Sequence, residues 1–458
     1  MTHAWKGRIC LLLAVTVSSC SNLAERAIDP SLVGSTNGSS DLVPSSGNGG
    51  YQVTRYLWDL EISEDLGEVV GFAATEATAT MDLQRFSLDV NDLEVNSVEV
   101  DIRDSSHVIE GTELIITVSS PIPVGTSFIV EIRYKAQPAP YLPEGAPRES
   151  GWVVTPDVEL LVFGGPGSFA TWVPYNGERL DTARYVLRLR VPDGYVATSS
   201  GVLVDTISGD ETEFVWDTID EVPFVMFSVA RYSVTTLDGD VPVDLATRVD
   251  DPPQRFADWL PEMLTFLEGL YGPLPQRQLG VSVVEDRGFA LASPGRIFVP
   301  SRIPPEVLVH ELAHQWIGNA VIAEEEAGSW IIEGLPVYTE VLWQDHKGPA
   351  ITIDKLLERR VLAALDSSTR PLDEVDSIAD LHDVATYERG ALVFHALRLE
   401  IGDDAFFATL RTLVDRHRRD PLSMAELEAI AEELSGTDLG DFFTSWVRKP
   451  TIPALPGS

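Results

Sequence analysis

With 458 residues, 44% of them hydrophobic and 23% charged, the chain has the composition of a globular protein with room for about two to four domains. Its 71 acidic residues against 33 basic ones leave a formal charge of -38 and a pI near 4.4. Such a surface repels phosphate backbones and anionic head groups, which argues against nucleic acid as a partner and suits solubility outside the cell.

The N-terminus reads as an export segment. Lys6 and Arg8 precede the apolar run "ICLLLAVTV", Ile9 to Val17, which is too short to span a bilayer permanently and has the shape of a secretory signal. It ends in "VSSC", Val17 to Cys20, which resembles the bacterial lipoprotein box, where the cysteine becomes the lipidated first residue of the mature chain. An ordinary cleaved signal with an incidental cysteine is the alternative. The chain has two cysteines, Cys10 and Cys20. The first falls in the part that would be removed and the second would carry lipid, so no disulfide is expected in a compartment where disulfides persist. Residues 1–20 are thus expected to be a lipoprotein signal with Cys20 as the attachment site. The expected location is the exported side of a bacterial cell envelope, held to an inner or an outer membrane. Residues 21–50, with "GSTNGSSDLVPSSGNGG" at 34–50, predict a flexible Gly/Ser-rich linker. No second segment is apolar and long enough to span, and no internal repeat stands out.

From residue 51 to 238, short apolar runs with period-two alternation and β-branched residues alternate with turn residues, as in "YQVTRYLWDLEIS", "SFIVEIRYKA", "RYVLRLRVP" and "FVMFSVARYSV". They predict one antiparallel β-domain of sandwich or saddle type, interrupted by the Pro-rich loop "YKAQPAPYLPEGAPRESG". After that the pattern changes. "FADWLPEMLTFLEGLYG" predicts an amphipathic helix and "LGVSVVED" a strand. Helices are then predicted at 305–322, 329–345, 352–366, 384–401, 403–418, 423–435 and 438–447. Strands first and helices after make an α+β chain, with 239–458 as its second domain.

Chemistry concentrates in "VLVHELAHQWIGN", residues 307–319. Four-residue spacing puts His310 and His314 one turn apart on one helix face, so both imidazoles can reach one metal ion. Glu311 is rotated by about 100° and can lean over a metal-bound water without ligating. After eighteen intervening residues comes Glu333, in "SWIIEGLPVYTEV", among Trp330, Ile331, Ile332 and Leu335. Two imidazoles and one carboxylate leave an open fourth position, the arrangement of a catalytic zinc; a structural zinc would fill all four, often with cysteine. Pro336 either kinks the Glu333 helix or sits near its first turns.

On these residues the chain resembles the gluzincin zinc aminopeptidases of the aminopeptidase N type, which include the leukotriene hydrolase. The resemblance rests on "HELAHQWIGN", the gap to Glu333, Glu333-Gly334, and "TYERGALVF" at 386–394, similar to the family's Tyr-Glu-Lys-Gly segment. "TWVPYNG" and "ARYVLRLRVP" resemble the end of its N-terminal saddle. The resemblance implies a thermolysin-like catalytic domain, one zinc ion per chain and a peptide substrate. It makes Glu340 the acid that orients a zinc histidine and Glu311 the group that takes a proton from water and delivers it to the leaving amine. Tyr387 becomes the hydrogen-bond donor to the oxyanion. Residues Gly288, Phe289, Ala290, Leu291 and Ala292 fall where the family's backbone pairs with substrate.

Three departures are visible. The family's glutamate for a free α-amine is matched by Leu291 or Ala292, and its second amine-binding position by Gly165; none carries a charge. Glu285 and Asp286 are the nearest acids upstream. The family's large C-terminal helical domain has no counterpart before Ser458, so a more open site is expected. Two functions follow. One is an exported, membrane-anchored zinc peptidase with altered terminus recognition. The other is a non-catalytic zinc-binding lipoprotein that keeps the fold as a binding module, which would have little reason to retain Glu311 and Tyr387 together. His107, His346, His382, His395 and His417 have no metal spacing. The oligomeric state is not indicated.

Overall fold

The computed structural model describes residues 28–165, 167–209, 211–248, 254–348, 370–418 and 420–456. The expected signal segment with Cys20 and the predicted helix 352–366 lie outside the described residues.

The N-terminal half is built on period-two strands. Ser127–Ala136 and Arg184–Val191 alternate strictly between buried and more exposed positions, as a strand does when one face is packed and the other wet. They lie in a seven-stranded sheet ordered Val202–Ser208, Thr212–Asp217, Arg184–Val191, Tyr51–Ile62, Val69–Ala79, Ser127–Ala136, Glu94–Val100. Tyr51–Ile62 pairs in parallel with Arg184–Val191, so the domain is not purely antiparallel. Its core is aromatic: buried Trp58 lies with its ring centroid 5.1 Å from Trp172 and 5.3 Å from Tyr185.

Residues 28–50 are not the flexible linker that their composition predicts. The Gly47 N–H donates to Asp89 Oδ2 at 2.8 Å, Asn48 Nδ2 donates to Asp89 Oδ1 at 2.6 Å, and the Asn48 N–H donates to Asn176 Oδ1 at 2.7 Å. A Cβ on Gly34 would stand 2.3 Å from the Gly49 carbonyl oxygen, so this glycine serves close backbone approach. Buried backbone donors need partners, and here carboxylate and amide side chains supply them.

The second half holds a five-stranded mixed sheet ordered Tyr232–Leu237, Val243–Arg248, Leu279–Val284, Arg296–Pro300, Leu291–Ser293. Its first strand was expected in the β-domain. Because Tyr232–Leu237 pairs antiparallel with Val243–Arg248, the boundary moves from 238 to about Arg231. Helix α1, Gln254–Tyr271, links two parallel neighbours of this sheet. Helix α2, Pro305–Ala313, is shorter than the predicted 305–322. Gly318, at φ 104°, turns the chain there and donates its N–H to the Val321 carbonyl at 2.7 Å. Helix α3, Ser329–His346, carries Pro336 well inside it rather than in the first turn. Helices Gly390–Ile401, Asp403–His417, Met424–Ser435 and Gly440–Trp446 fall where periodicity predicts them. Trp316 and Trp330 are buried in a core shared by α1, α2 and α3. No helix of the described residues is long and apolar enough to cross a membrane.

Candidate metal centre

His310 sits in the last turn of α2 and His314 is its C-cap, still at helical φ and ψ of -59° and -18°. Helix α3 packs across α2 and brings Glu333 to the pair. His310 Nε2 and His314 Nε2 are 3.1 Å apart, and Glu333 Oε2 lies 3.5 Å from each. All three potential ligand atoms fall within 4.8 Å of one another, the one such cluster among the described residues.

The protons decide what this cluster holds. The His314 Nδ1 atom is 3.0 Å from the Ile317 carbonyl oxygen, which can only accept, so Nδ1 carries the hydrogen. The His310 Nδ1 atom is 3.0 Å from Glu340 Oε1, a carboxylate acceptor, with the same consequence. In the neutral rings both Nε2 atoms are then bare lone pairs facing each other and a third acceptor on Glu333. Such a convergence needs a positive charge: burial opposes it, but the Glu333 and Glu340 carboxylates hold a proton on His310 when no metal is bound, and a metal cation takes that proton's place. Tetrahedral zinc with Zn–N bonds of 2.0–2.1 Å would hold two nitrogens about 3.3 Å apart, close to the separation seen. The donor set therefore fits one zinc ion.

Glu311 is buried beside the pair, and burial pushes its carboxyl up against the pull of His310 and His314. Tyr387 lies parallel to the His310 ring, 5° between planes and 6.3 Å between centroids. Burial, then the Glu333 carboxylate and Glu311, push its phenol well above the ordinary value, so it stays a proton-bearing donor. The expected acid, base and donor roles thus fall around one point. His382, given no site role from its spacing, is close enough for the Glu333 charge to act on it.

Several positioning residues have no signature in the sequence. Gly334 of α3 meets Gly390 backbone to backbone: a Cβ on Gly334 would lie 2.5 Å from the Gly390 carbonyl carbon. This close crossing carries Tyr387 to the zinc ligands, on a single π-turn at Ala385–Arg389, a distortion frequent at functional sites. Arg370 holds the start of that turn through Asp383 and Thr386, at 2.9–3.0 Å. Buried Arg389 holds its end by donating to the Arg370 and Trp446 carbonyls at 2.8 and 2.7 Å. Gln315, next to His314, accepts from the Gly295 N–H at 2.9 Å and donates to the Ser293 carbonyl at 3.1 Å. That pair fixes α2 to the hairpin containing the expected substrate strand.

Of that strand, Leu291 and Ala292 lie in the edge strand Leu291–Ser293, which pairs on one side only, with Arg296–Pro300. Gly288, at φ 77°, Phe289 and Ala290 lead into it without regular pairing. Glu285 and Asp286 are engaged locally. The Glu285 carboxylate lies 3.5 Å from the Asp157 N–H, and Asp286 Oδ1 accepts from the Gly288 N–H at 3.0 Å.

The expected openness is modified by the Pro-rich loop. Gly145 packs on Ile378 and Ala379, just ahead of the Tyr387 turn, while Arg148 stands over Phe289. A loop of the N-terminal domain therefore touches both the segment ahead of the Tyr387 turn and the segment leading into the edge strand.

Comparison with known proteins agrees with this geometry. Residues 301–446 match the Peptidase family M1 domain. Aminopeptidase N of Lactococcus lactis subsp. lactis is 28% identical over 160 residues, 32% of this chain and 19% of that protein. Aminopeptidase M1-A of Oryza sativa subsp. japonica is 27% identical over 194 residues, 40% of this chain and 21% of that protein. The matches thus span about a fifth of these relatives' length. The fold is shared over a much longer stretch with the M1 zinc metallopeptidase from Deinococcus radiodurans, at a TM-score of 0.83 and 24% identity over 91% of this chain and 98% of that one. A glutamate-to-alanine variant of that protein, bound to a Tyr-Ser-Ala substrate, superposes equally well. Residues 301–446 thus match a peptidase family M1 domain, and in that stretch the chain is similar to the aminopeptidase N-like gluzincins.

Proposed function

We propose that the chain is a zinc-dependent peptidase that hydrolyses peptide bonds at the centre formed by His310, His314 and Glu333. The observation that carries this reading is the convergence of His310, His314 and Glu333, whose ligand atoms lie within 4.8 Å of one another, beside a buried carboxylate and a protonated phenol. Bound there, zinc supplies Lewis acidity and lowers the pKa of a coordinated water to roughly 7. Glu311, its carboxyl pushed up by burial, accepts the proton of the attacking water and returns it to the leaving amine. Tyr387 donates its O–H to the developing oxyanion. A non-catalytic binding module would use neither Glu311 nor Tyr387 in this way.

The substrate reading is narrower. The positions matching the family's amine anchors are Gly165, Leu291 and Ala292, and the nearby acids Glu285 and Asp286 are bonded to backbone. An α-ammonium without a paired carboxylate forfeits roughly 2 to 5 kcal/mol of binding. We therefore read the enzyme as a peptidase of longer or N-blocked peptides, with weak single-residue aminopeptidase activity. Export and attachment through Cys20 complete the proposal, supported by the "VSSC" end of the apolar segment.

Digestion of a peptide library containing free and N-acetylated members, read by mass, tests the reading. The expected result is cleavage by the wild type with acetylated and free members cut about equally, or the acetylated ones faster. Glu311→Gln should lose at least about 10²-fold in rate. An intact library, or cleavage undiminished in Glu311→Gln, would refute the peptidase. Fast release of free N-terminal residues alone would refute the lost anchor.

A further inference from the structure

The loop of residues 142–149 touches the catalytic half at two places, one ahead of the Tyr387 turn and one at the segment leading into the edge strand. At one end, a Cβ on Gly145 would come within 3.2 Å of the Ala379 nitrogen. At the other, Glu149 pairs with Arg287 at 3.9 Å and the Arg148 guanidinium stands 4.4 Å from the Phe289 ring centroid. Phe289 opens the segment that leads into the edge strand. Arg148 is therefore a cation placed over the substrate side of the site.

Its surroundings are unusual for this chain. Acidic residues outnumber basic ones by 71 to 33, yet no carboxylate of the described residues lies within 4.0 Å of Arg148, and its neighbour Glu149 is drawn to Arg287 instead. Stacking on Phe289 occupies one face of the guanidinium and leaves its planar fork of N–H donors unfilled. The side chain is half-buried. The charge is felt at Glu311, His382 and Tyr387, the groups around the reacting atoms. A partly dehydrated fork with no internal partner matches an incoming carboxylate in shape and sign. An ammonium is repelled by it. The electrostatics of this wall thus oppose a free N-terminus, and the neutral Gly165, Leu291 and Ala292 offer nothing to offset that.

We propose that Arg148 is the specificity-determining residue of this site and binds a carboxylate of the peptide close to the scissile bond. The proposal rests on the peptidase reading for the identity of the ligand. The carboxylate belongs either to an Asp or Glu side chain or to the peptide's C-terminus, and both present the same planar pair of oxygens.

Binding to the zinc-loaded Glu311→Gln protein, measured by calorimetry, separates this proposal from the question of turnover. The probes are N-acetylated, C-amidated tetrapeptides of Ala and Gln, the same set with Glu in place of Gln at each position in turn, and the neutral set with a free C-terminal carboxylate. At least one carboxylate-bearing peptide should bind about tenfold or more tighter than its neutral counterpart. The position of Glu, or the free C-terminus, identifies the source. In the double variant with Arg148→Ala that ratio should collapse to near one, and with Arg148→Lys part of it should remain. Equal binding of all peptides, no binding, or a ratio that survives Arg148→Ala overturns the proposal. Cleavage by the wild-type chain is scored separately, so a protein that binds without cutting sinks only the peptidase.

Discussion

Each zinc-binding histidine uses one nitrogen for orientation and one for the metal. Glu340 and the Ile317 carbonyl fix the Nδ1–H tautomers of His310 and His314, and the fixed tautomers aim both Nε2 lone pairs at Glu333. Tyr387 differs from these ligands, since its burial and its acidic neighbours hold the proton on oxygen. Tyr387→Phe keeps the ring against His310 and removes only the O–H. The expected loss in kcat is about 10²- to 10³-fold, the usual cost of one oxyanion donor, with zinc content unchanged. Steady-state kinetics with metal analysis checks it; a loss under about fivefold would remove Tyr387 from the mechanism. The ligands could be read from sequence because helix periodicity converts a spacing of four into a shared face. Tyr387 could be read only through family resemblance, since a tyrosine in an apolar helix is otherwise indistinguishable from core.

Helices α2 and α3 and the turn at Tyr387 form the site only because they cross closely. Gly334 and Gly390 are the contact. Gly334→Ala forces a methyl into backbone that cannot rotate away, so destabilisation of at least about 1 to 3 kcal/mol is expected, as for overpacked cores. The displaced turn should lower kcat as well. Gly269→Ala, on α1 with nothing within 4 Å of its Cβ, is the control and should be neutral or stabilising by up to about 1 kcal/mol. Thermal melting and kcat of the two variants decide; equal behaviour would mean the crossing does not position Tyr387. Such contacts were not legible beforehand. Gly334, Gly390, Gln315, Arg370 and Arg389 act between segments far apart in the chain, and no periodicity or spacing encodes a partner tens of residues away. The same limit explains the shortened α2, where Gly318 at positive φ overrides an apolar pattern that continues through Ile317.

At the scale of the molecule, the N-terminal domain does more than precede the catalytic one. Its loop at 142–149 touches both the segment ahead of the Tyr387 turn and the segment leading into the edge strand, and its surface binds residues 28–50, which low-complexity composition had marked as a linker. Composition reports the absence of apolar periodicity but not the buried polar sockets of Asp89 and Asn176 that receive those residues. The docking shortens the reach of the proposed anchor. Seven residues, 21–27, separate Cys20 from the first described position, at most about 25 Å of extended chain, so the body would lie near the membrane rather than on a long stalk. Stable attachment requires more than one acyl chain. Wild type is expected in the detergent phase and Cys20→Ala in the aqueous phase on phase separation. Both in the aqueous phase would make "VSSC" an ordinary signal end.

One donor set carries the proposed chemistry, and metal content tests it most directly. Protein purified and analysed by elemental mass spectrometry should contain one zinc per chain in the wild type and in Glu311→Gln, and close to none in His310→Ala and Glu333→Ala. Full zinc occupancy in His310→Ala would contradict it.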